Sequence, residues 1–109
     1  SVTVDRTLMD AAGLAEYEQV HIWNVDNGNR FTTYIIDGPA DSGVICLNGA
    51  AARQVSKGDL VIIAAFSAYD EKELANFHPT LVYVDRKNRI TDVKRKVESE
   101  SQRPRVAAV

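Results

Sequence analysis

The run Leu60-Val61-Ile62-Ile63-Ala64-Ala65-Phe66 constrains this chain more than any other stretch. It is apolar on both alternating faces, it follows the tight-turn residues Lys57-Gly58-Asp59, and it is far too short to span a membrane. A strand with two apolar faces is expected at the centre of a sheet, so this run is read as the central strand.

The remaining strand candidates are short and punctuated by turns. Val2 and Val4 alternate with Thr3, which predicts a strand held inside the sheet. Thr7 to Gly13 reads as a short helix with Asp5 or Thr7 as N-cap, Gly13 as its stop and Leu14 packed beneath it. Val20, Ile22, Trp23 and Val25 mark a strand, Asp26-Asn27-Gly28-Asn29 turns it, and Arg30 to Ile36 returns as the second arm of a hairpin. Asp37 to Gly43 is a loop, Val44 to Leu47 a short buried strand, and Asn48-Gly49 leads into one or two helical turns over Ala50 to Gln54. Asp70 to Phe77 reads as a helix capped by Asp70 and ended before Pro79. Leu81 to Val84 and Ile90 to Val97 pair across Arg86-Lys87-Asn88. Six or so short strands with two or three short helices and no βαβ rhythm predict a mainly β fold, a small closed β-barrel.

At 109 residues, 45% hydrophobic and 26% charged, the chain has room for one domain, expected over residues 1–97. Residues 98–109 read as a disordered tail of mixed charge. The net charge of −2 divides into +3 from Lys94 onward and −5 before it, and gives no electrostatic reason to expect nucleic acid or an anionic membrane as partner. A single cysteine, Cys46, allows no internal disulfide and fits a reducing cytoplasm; within Val44-Ile45-Cys46-Leu47 it reads as a small core residue. The absence of a signal peptide or apolar span also points to a cytoplasmic protein. His21 and His78 stand alone, so no metal site is expected, and no glycine-rich phosphate loop is present.

Three stretches carry potential chemistry. Ser1 opens the chain, and a terminal serine is either a trimmed or mature end or a hydroxyl beside a free amine, able to act as nucleophile or precursor of a more reactive group. Alternation sends Arg30, Thr32 and Tyr34 to one face of their strand and Phe31, Thr33 and Ile35 to the other. That pattern is either a plain surface strand or a forked cation for a carboxylate with a phenolic proton nearby. Asn48-Gly49-Ala50-Ala51-Ala52 is either a helix start packed on the barrel or a row of backbone N–H groups able to hold an anion near Ala50 and Ala51.

Together, Trp23 to Tyr34, Asn48 to Ala52 and Gly58 to Phe66 resemble bacterial aspartate 1-decarboxylases, in one register from Ser1 to about Val97. The resemblance implies a six-stranded double-psi β-barrel, a homo-tetramer with sites between protomers, and conversion of L-aspartate to β-alanine and CO₂ for pantothenate biosynthesis. It also implies an autocatalytic cleavage between a glycine and Ser1, leaving a small N-terminal β chain and a pyruvoyl group at residue 1. In such a family the pyruvoyl ketone forms a Schiff base with the substrate and serves as electron sink, without a metal. Tyr34 matches the proton donor, Thr33 the residue for self-cleavage and substrate contact, and Arg30 the carboxylate holder. Asn48, Gly49, Ala50 and Ala51 match the pocket wall, Trp23 shapes it, and the β chain supplies a lysine. Some bacteria add a maturation factor. The competing readings are an N-terminal nucleophile hydrolase, which normally needs a larger layered α/β fold, and a non-catalytic β-barrel binding module, whose nucleic-acid version the acidic balance disfavours.

Overall fold

A computed structural model describes residues 1–97, so the expected tail at 98–109 lies outside the described residues. Within them the fold is mainly β, with strands β1 (Val2–Asp5), β2 (Gln19–Asn24), β3 (Arg30–Gly38), β4 (Ile45–Leu47), β5 (Val61–Ala64), β6 (Leu81–Val84) and β7 (Ile90–Lys94). Helices α1 (Arg6–Ala12) and α2 (Glu71–Ala75) and a 3-10 helix at Gly49–Gln54 connect them.

Five strands form one sheet in the order β4-β1-β3-β2-β5, and β6 pairs with β7 in a separate antiparallel ribbon. β1 lies parallel to β3 and antiparallel to β4, so the first strand is held on both sides as its alternation predicts. The β2–β3 hairpin forms about the expected turn, with Gly28 at φ 77° and the Asn24 side chain accepting from the Asp26 and Asn27 amides. The inner faces of β1 and β3 are marked by burial: Val2, Val4 and Ile35 sit in the core, together with Leu8, Met9, Val20, Ile22, Ile63, Val82 and Val84. Fully burying a side chain of this size contributes about 1.5–3 kcal/mol. The core therefore joins the inner face of the sheet, α1 and one strand of the ribbon.

Two expectations change. The sheet curls around its core as a partial barrel, but β4 and β5 remain its edges, and among the described residues no ladder closes it. The Leu60–Phe66 run supplies an edge strand, not the central one, since among the described residues β5 pairs only with β2. Its two apolar faces have a different cause. Ile63 enters the core, whereas Ile62 lies opposite Trp23 on the outer face, where Phe66 packs against His21 and Trp23.

Asp5 fixes the loop that carries β4. Its buried carboxylate caps α1 by accepting from the Thr7 amide at 2.8 Å, and it also accepts from the Asp41 amide at 2.9 Å and the Gly43 amide at 2.8 Å. Burial acts to raise its pKa, but the Gly43, Thr7 and Asp41 donors outweigh it and hold the carboxyl below its ordinary value. Gly43 has φ 71°, and any Cβ there would collide with the Lys87 carbonyl, so the loop and the β6–β7 turn meet at a point only glycine fits.

Candidate active site

Ser1 and Asn48 extend the β1–β4 ladder by one pair. The Asn48 amide N–H donates to the Ser1 carbonyl at 2.8 Å, and the Ser1 nitrogen lies 3.5 Å from the Asn48 carbonyl oxygen. Although Asn48 occupies the N-cap position of the 3-10 helix, its side chain makes no capping bond. It turns instead to the sheet, where Nδ2 donates to Ser1 Oγ at 3.1 Å and to Thr3 Oγ1 at 3.0 Å, and Oδ1 accepts from the Cys46 thiol at 3.4 Å. Ser1, Thr3, Cys46 and Asn48 thus form two cross-strand pairs on the outer face of the sheet. Sequence reasoning missed Thr3, and it misread Cys46 as a core residue. Cys46 is exposed, because Ile45 and Leu47 take the inward positions on either side of it. The alternation Val2-Thr3-Val4 was the available signal for Thr3.

The β1–β3 register pairs Val2 with Ile35; continued by one residue, it brings Ser1 beside Tyr34, which is 48% exposed. Thr33 lies opposite the buried Val20 and therefore on the inner face, as the alternation predicts. Arg30 shares the outer face with Tyr34 but stands four residues up the strand, about 13 Å at roughly 3.3 Å per residue. Its guanidinium sits 4.4 Å over the Trp23 ring, directly across the hairpin and away from β1. Phe66 continues this layer, 6.1 Å from Trp23 and 5.2 Å from His21 in an edge-on contact. Gly49 and Ala50 are exposed while Ala51 is buried, so the small residues of this turn both pack on the sheet and leave backbone open beside Ser1.

A separate groove of 1330 Å³ runs between β4, the 55–60 turn and the β6–β7 ribbon. Tyr83 lines it, and the buried Tyr83 hydroxyl has no hydrogen-bond partner among the described residues. Ser1, Tyr34 and Arg30 are not part of it. Among the described residues no three His, Cys, Asp or Glu side chains gather to hold a metal ion, and no helix is long and apolar enough to cross a membrane.

The sequence profile of the family described as aspartate decarboxylase matches residues 1–91. The chain belongs to the aspartate decarboxylase family. Relatives carry the same message over most of their length. One named aspartate 1-decarboxylase from Dehalococcoides mccartyi is 56% identical over 101 residues, covering 93% of this chain and 82% of its own. Another of that name, from Leptothrix cholodnii, is 50% identical over 104 residues, covering 95% and 76%. A third, from Stenotrophomonas maltophilia, is 56% identical over 91 residues, covering 84% and 72%. In this decarboxylase-family chain the matched stretch takes in Ser1, Arg30, Thr33, Tyr34 and Asn48.

Proposed function

We propose that this protein decarboxylates L-aspartate to β-alanine and CO₂, with a pyruvoyl group derived from Ser1 as its working centre. The observation that carries the reading is residue 1 held at the sheet by its ladder bond to Asn48, with the exposed Tyr34 next to it in register. In a pyruvoyl group Oγ is gone, Cβ is a methyl and the ketone oxygen stands on Cα in place of the residue-1 nitrogen, so the Asn48 Nδ2 donor that binds Ser1 Oγ would be released toward a substrate acceptor held at residue 1, and the residues present fit the group. Such a ketone supplies a covalent anchor for the substrate amine and a sink for the electron pair left at Cα when CO₂ departs.

The chain's own residues do the rest. Asn48, whose Nδ2 is freed when Oγ is lost, would donate to a substrate oxygen held at residue 1. Tyr34 delivers a proton to Cα, in keeping with its exposed phenol beside residue 1. Arg30 pairs with a substrate carboxylate, and Trp23 gives its guanidinium a flat support. Gly49, Ala50 and Ala51 form the near wall. Thr33, on the opposite face of β3 from Tyr34, is assigned to the self-cleavage that makes the new residue 1.

The distance between Arg30 and the residue-1 end supports sharing of sites between copies in a homo-tetramer, because one aspartate is much shorter than the roughly 13 Å that separates them along β3. The small N-terminal chain of the precursor is assigned to the groove beside β4 and Tyr83, where it closes the double-psi barrel and brings its lysine to the site. The product serves pantothenate synthesis in the cytoplasm, and a maturation factor assists cleavage where one is encoded.

Intact mass tests the reading directly. The active chain is expected to lack one ammonia relative to the serine form, and borohydride with aspartate is expected to trap an adduct on residue 1. Fully active protein whose first residue is an unmodified serine would overturn it.

A further inference from the structure

Resting on that reading of the Arg30 end, we infer that His21 and Thr32 complete, with Arg30, a three-donor seat for the side-chain carboxylate of the substrate. All three residues stand on the outer face of the sheet. In β2 the neighbours Val20 and Ile22 are buried on the inner face while His21 is half-buried on the other, and β3 leaves Arg30, Thr32 and Tyr34 exposed. The hairpin register sets Arg30 opposite Trp23 and Thr32 opposite His21. His21 is therefore the direct cross-strand neighbour of Thr32 and the diagonal neighbour of Arg30, a separation of about 7–8 Å that aromatic and long side chains bridge.

None of the three side chains has a hydrogen-bond or ion-pair partner among the described residues; the guanidinium lies over the Trp23 ring and the imidazole meets Phe66 edge-on at 5.2 Å. The chain carries 15 acidic residues, yet the outward positions of β2, of the Arg30–Tyr34 stretch and of β5 hold none of them. A cation, an imidazole N–H and a hydroxyl with no acid beside them suit an anion from outside the chain. A carboxylate fits the set, because its two oxygens accept the guanidinium fork, the imidazole N–H and the Thr32 hydroxyl together. The guanidinium can shift on its flat support, so the imidazole, braced by Phe66, and the short Thr32 side chain decide where the carboxylate sits. Thr32 is two residues from Tyr34, which brings the seat nearer to the proton donor than Arg30 alone would. The set goes with Arg30, so it serves a site shared between copies as well as one within a copy.

The test compares four variants, His21→Phe, His21→Gln, Thr32→Val and Thr32→Ser, with the processed wild-type protein. Succinate, a dicarboxylate without an amine, probes the seat with no bond to residue 1, and its dissociation constant is measured by calorimetry beside kcat and KM for aspartate. His21→Phe keeps a ring against Phe66 and removes the N–H, and Thr32→Val keeps the shape and removes the hydroxyl. Both are expected to weaken succinate binding and raise KM, about tenfold for His21→Phe and about threefold for Thr32→Val, with kcat within about threefold. His21→Gln and Thr32→Ser, which restore a donor, are expected to fall between wild type and the donor-free variants. Succinate binding that is absent from wild type, or unchanged in both His21→Phe and Thr32→Val, overturns the inference. If wild type binds succinate but releases no β-alanine from aspartate, the decarboxylase reading fails instead, and the binding comparison still decides the roles of His21 and Thr32.

Discussion

The two ends of the Arg30–Tyr34 half of β3 meet the outer face of the sheet in different ways. At the Tyr34 end, residue 1 is surrounded by directional bonds: a ladder to Asn48, an amide shared among Ser1, Thr3 and Cys46, and a loop anchored on Asp5. At the Arg30 end the guanidinium lies on the Trp23 ring, within a layer of aromatic contacts that continues to Phe66 and His21. Hydrogen bonds fix orientation to within tens of degrees, whereas a flat ring supports a cation over a range of positions. On the proposed reading, the reacting end is thus built for geometry and the binding end for tolerance.

That contrast predicts steep losses at one end and graded losses at the other. The largest effect is expected for Tyr34→Phe, which removes only the phenolic proton and should lower kcat by about 10²–10⁴-fold while leaving self-cleavage intact. Its neighbour Thr33→Val, on the inner face, should do the reverse and leave an uncut precursor, visible by intact mass. Normal turnover in Tyr34→Phe would move the proton donor elsewhere and dissolve the distinction between the two ends.

Asp5→Ala should come next, costing about 2–4 kcal/mol of stability in denaturant unfolding, because three buried backbone donors lose their acceptor together. The same carboxylate gives a pH test. Its pKa is lowered by folding, so the unfolded chain takes up the proton first as pH drops. The stabilisation is complete above the ordinary carboxylate value and is lost as pH falls through the lowered folded value. Asp5→Asn should flatten this acid limb of the stability curve, and an unchanged limb would assign acid sensitivity to other carboxylates.

At the Arg30 end, Arg30→Lys should raise KM about 10- to 100-fold with a smaller change in kcat, the loss of a charge-assisted fork. Mixing Ser1→Ala and Arg30→Ala copies should restore measurable activity through hybrid sites, and no restoration would confine each site to one copy. The smallest effect is expected for Trp23→Leu, a KM rise of a few-fold, since an exposed cation–π contact contributes about 0.5–1 kcal/mol.

Local features were the legible ones. The β2–β3 hairpin follows from Asp26-Asn27-Gly28, the cap at Asp5 from its place before Thr7, and the separation of Tyr34 from Thr33 from strand alternation. Both helices begin after the expected caps, Asp5 and Asp70, and α1 stops at Gly13 as expected, whereas α2 stops at Ala75, short of Phe77. What escaped were relations across distance. Nothing near Cys46 in the chain announces Thr3 and Ser1, which reach it only through an antiparallel pairing more than forty residues away. Likewise the two apolar faces of β5 hide whether they are covered by neighbouring strands or by aromatic side chains, and here the outer face meets the latter.

The Tyr83 hydroxyl, buried without a hydrogen-bond partner among the described residues, has a thermodynamic consequence. A buried donor without an acceptor costs about 1–3 kcal/mol, and a partner segment that occupies the groove and offers it an oxygen removes that cost. Binding to the folded state alone then shifts the folding equilibrium by mass action. The melting temperature of this chain should accordingly climb with the concentration of the segment that fills the groove, so that completeness of the assembly becomes readable as heat resistance.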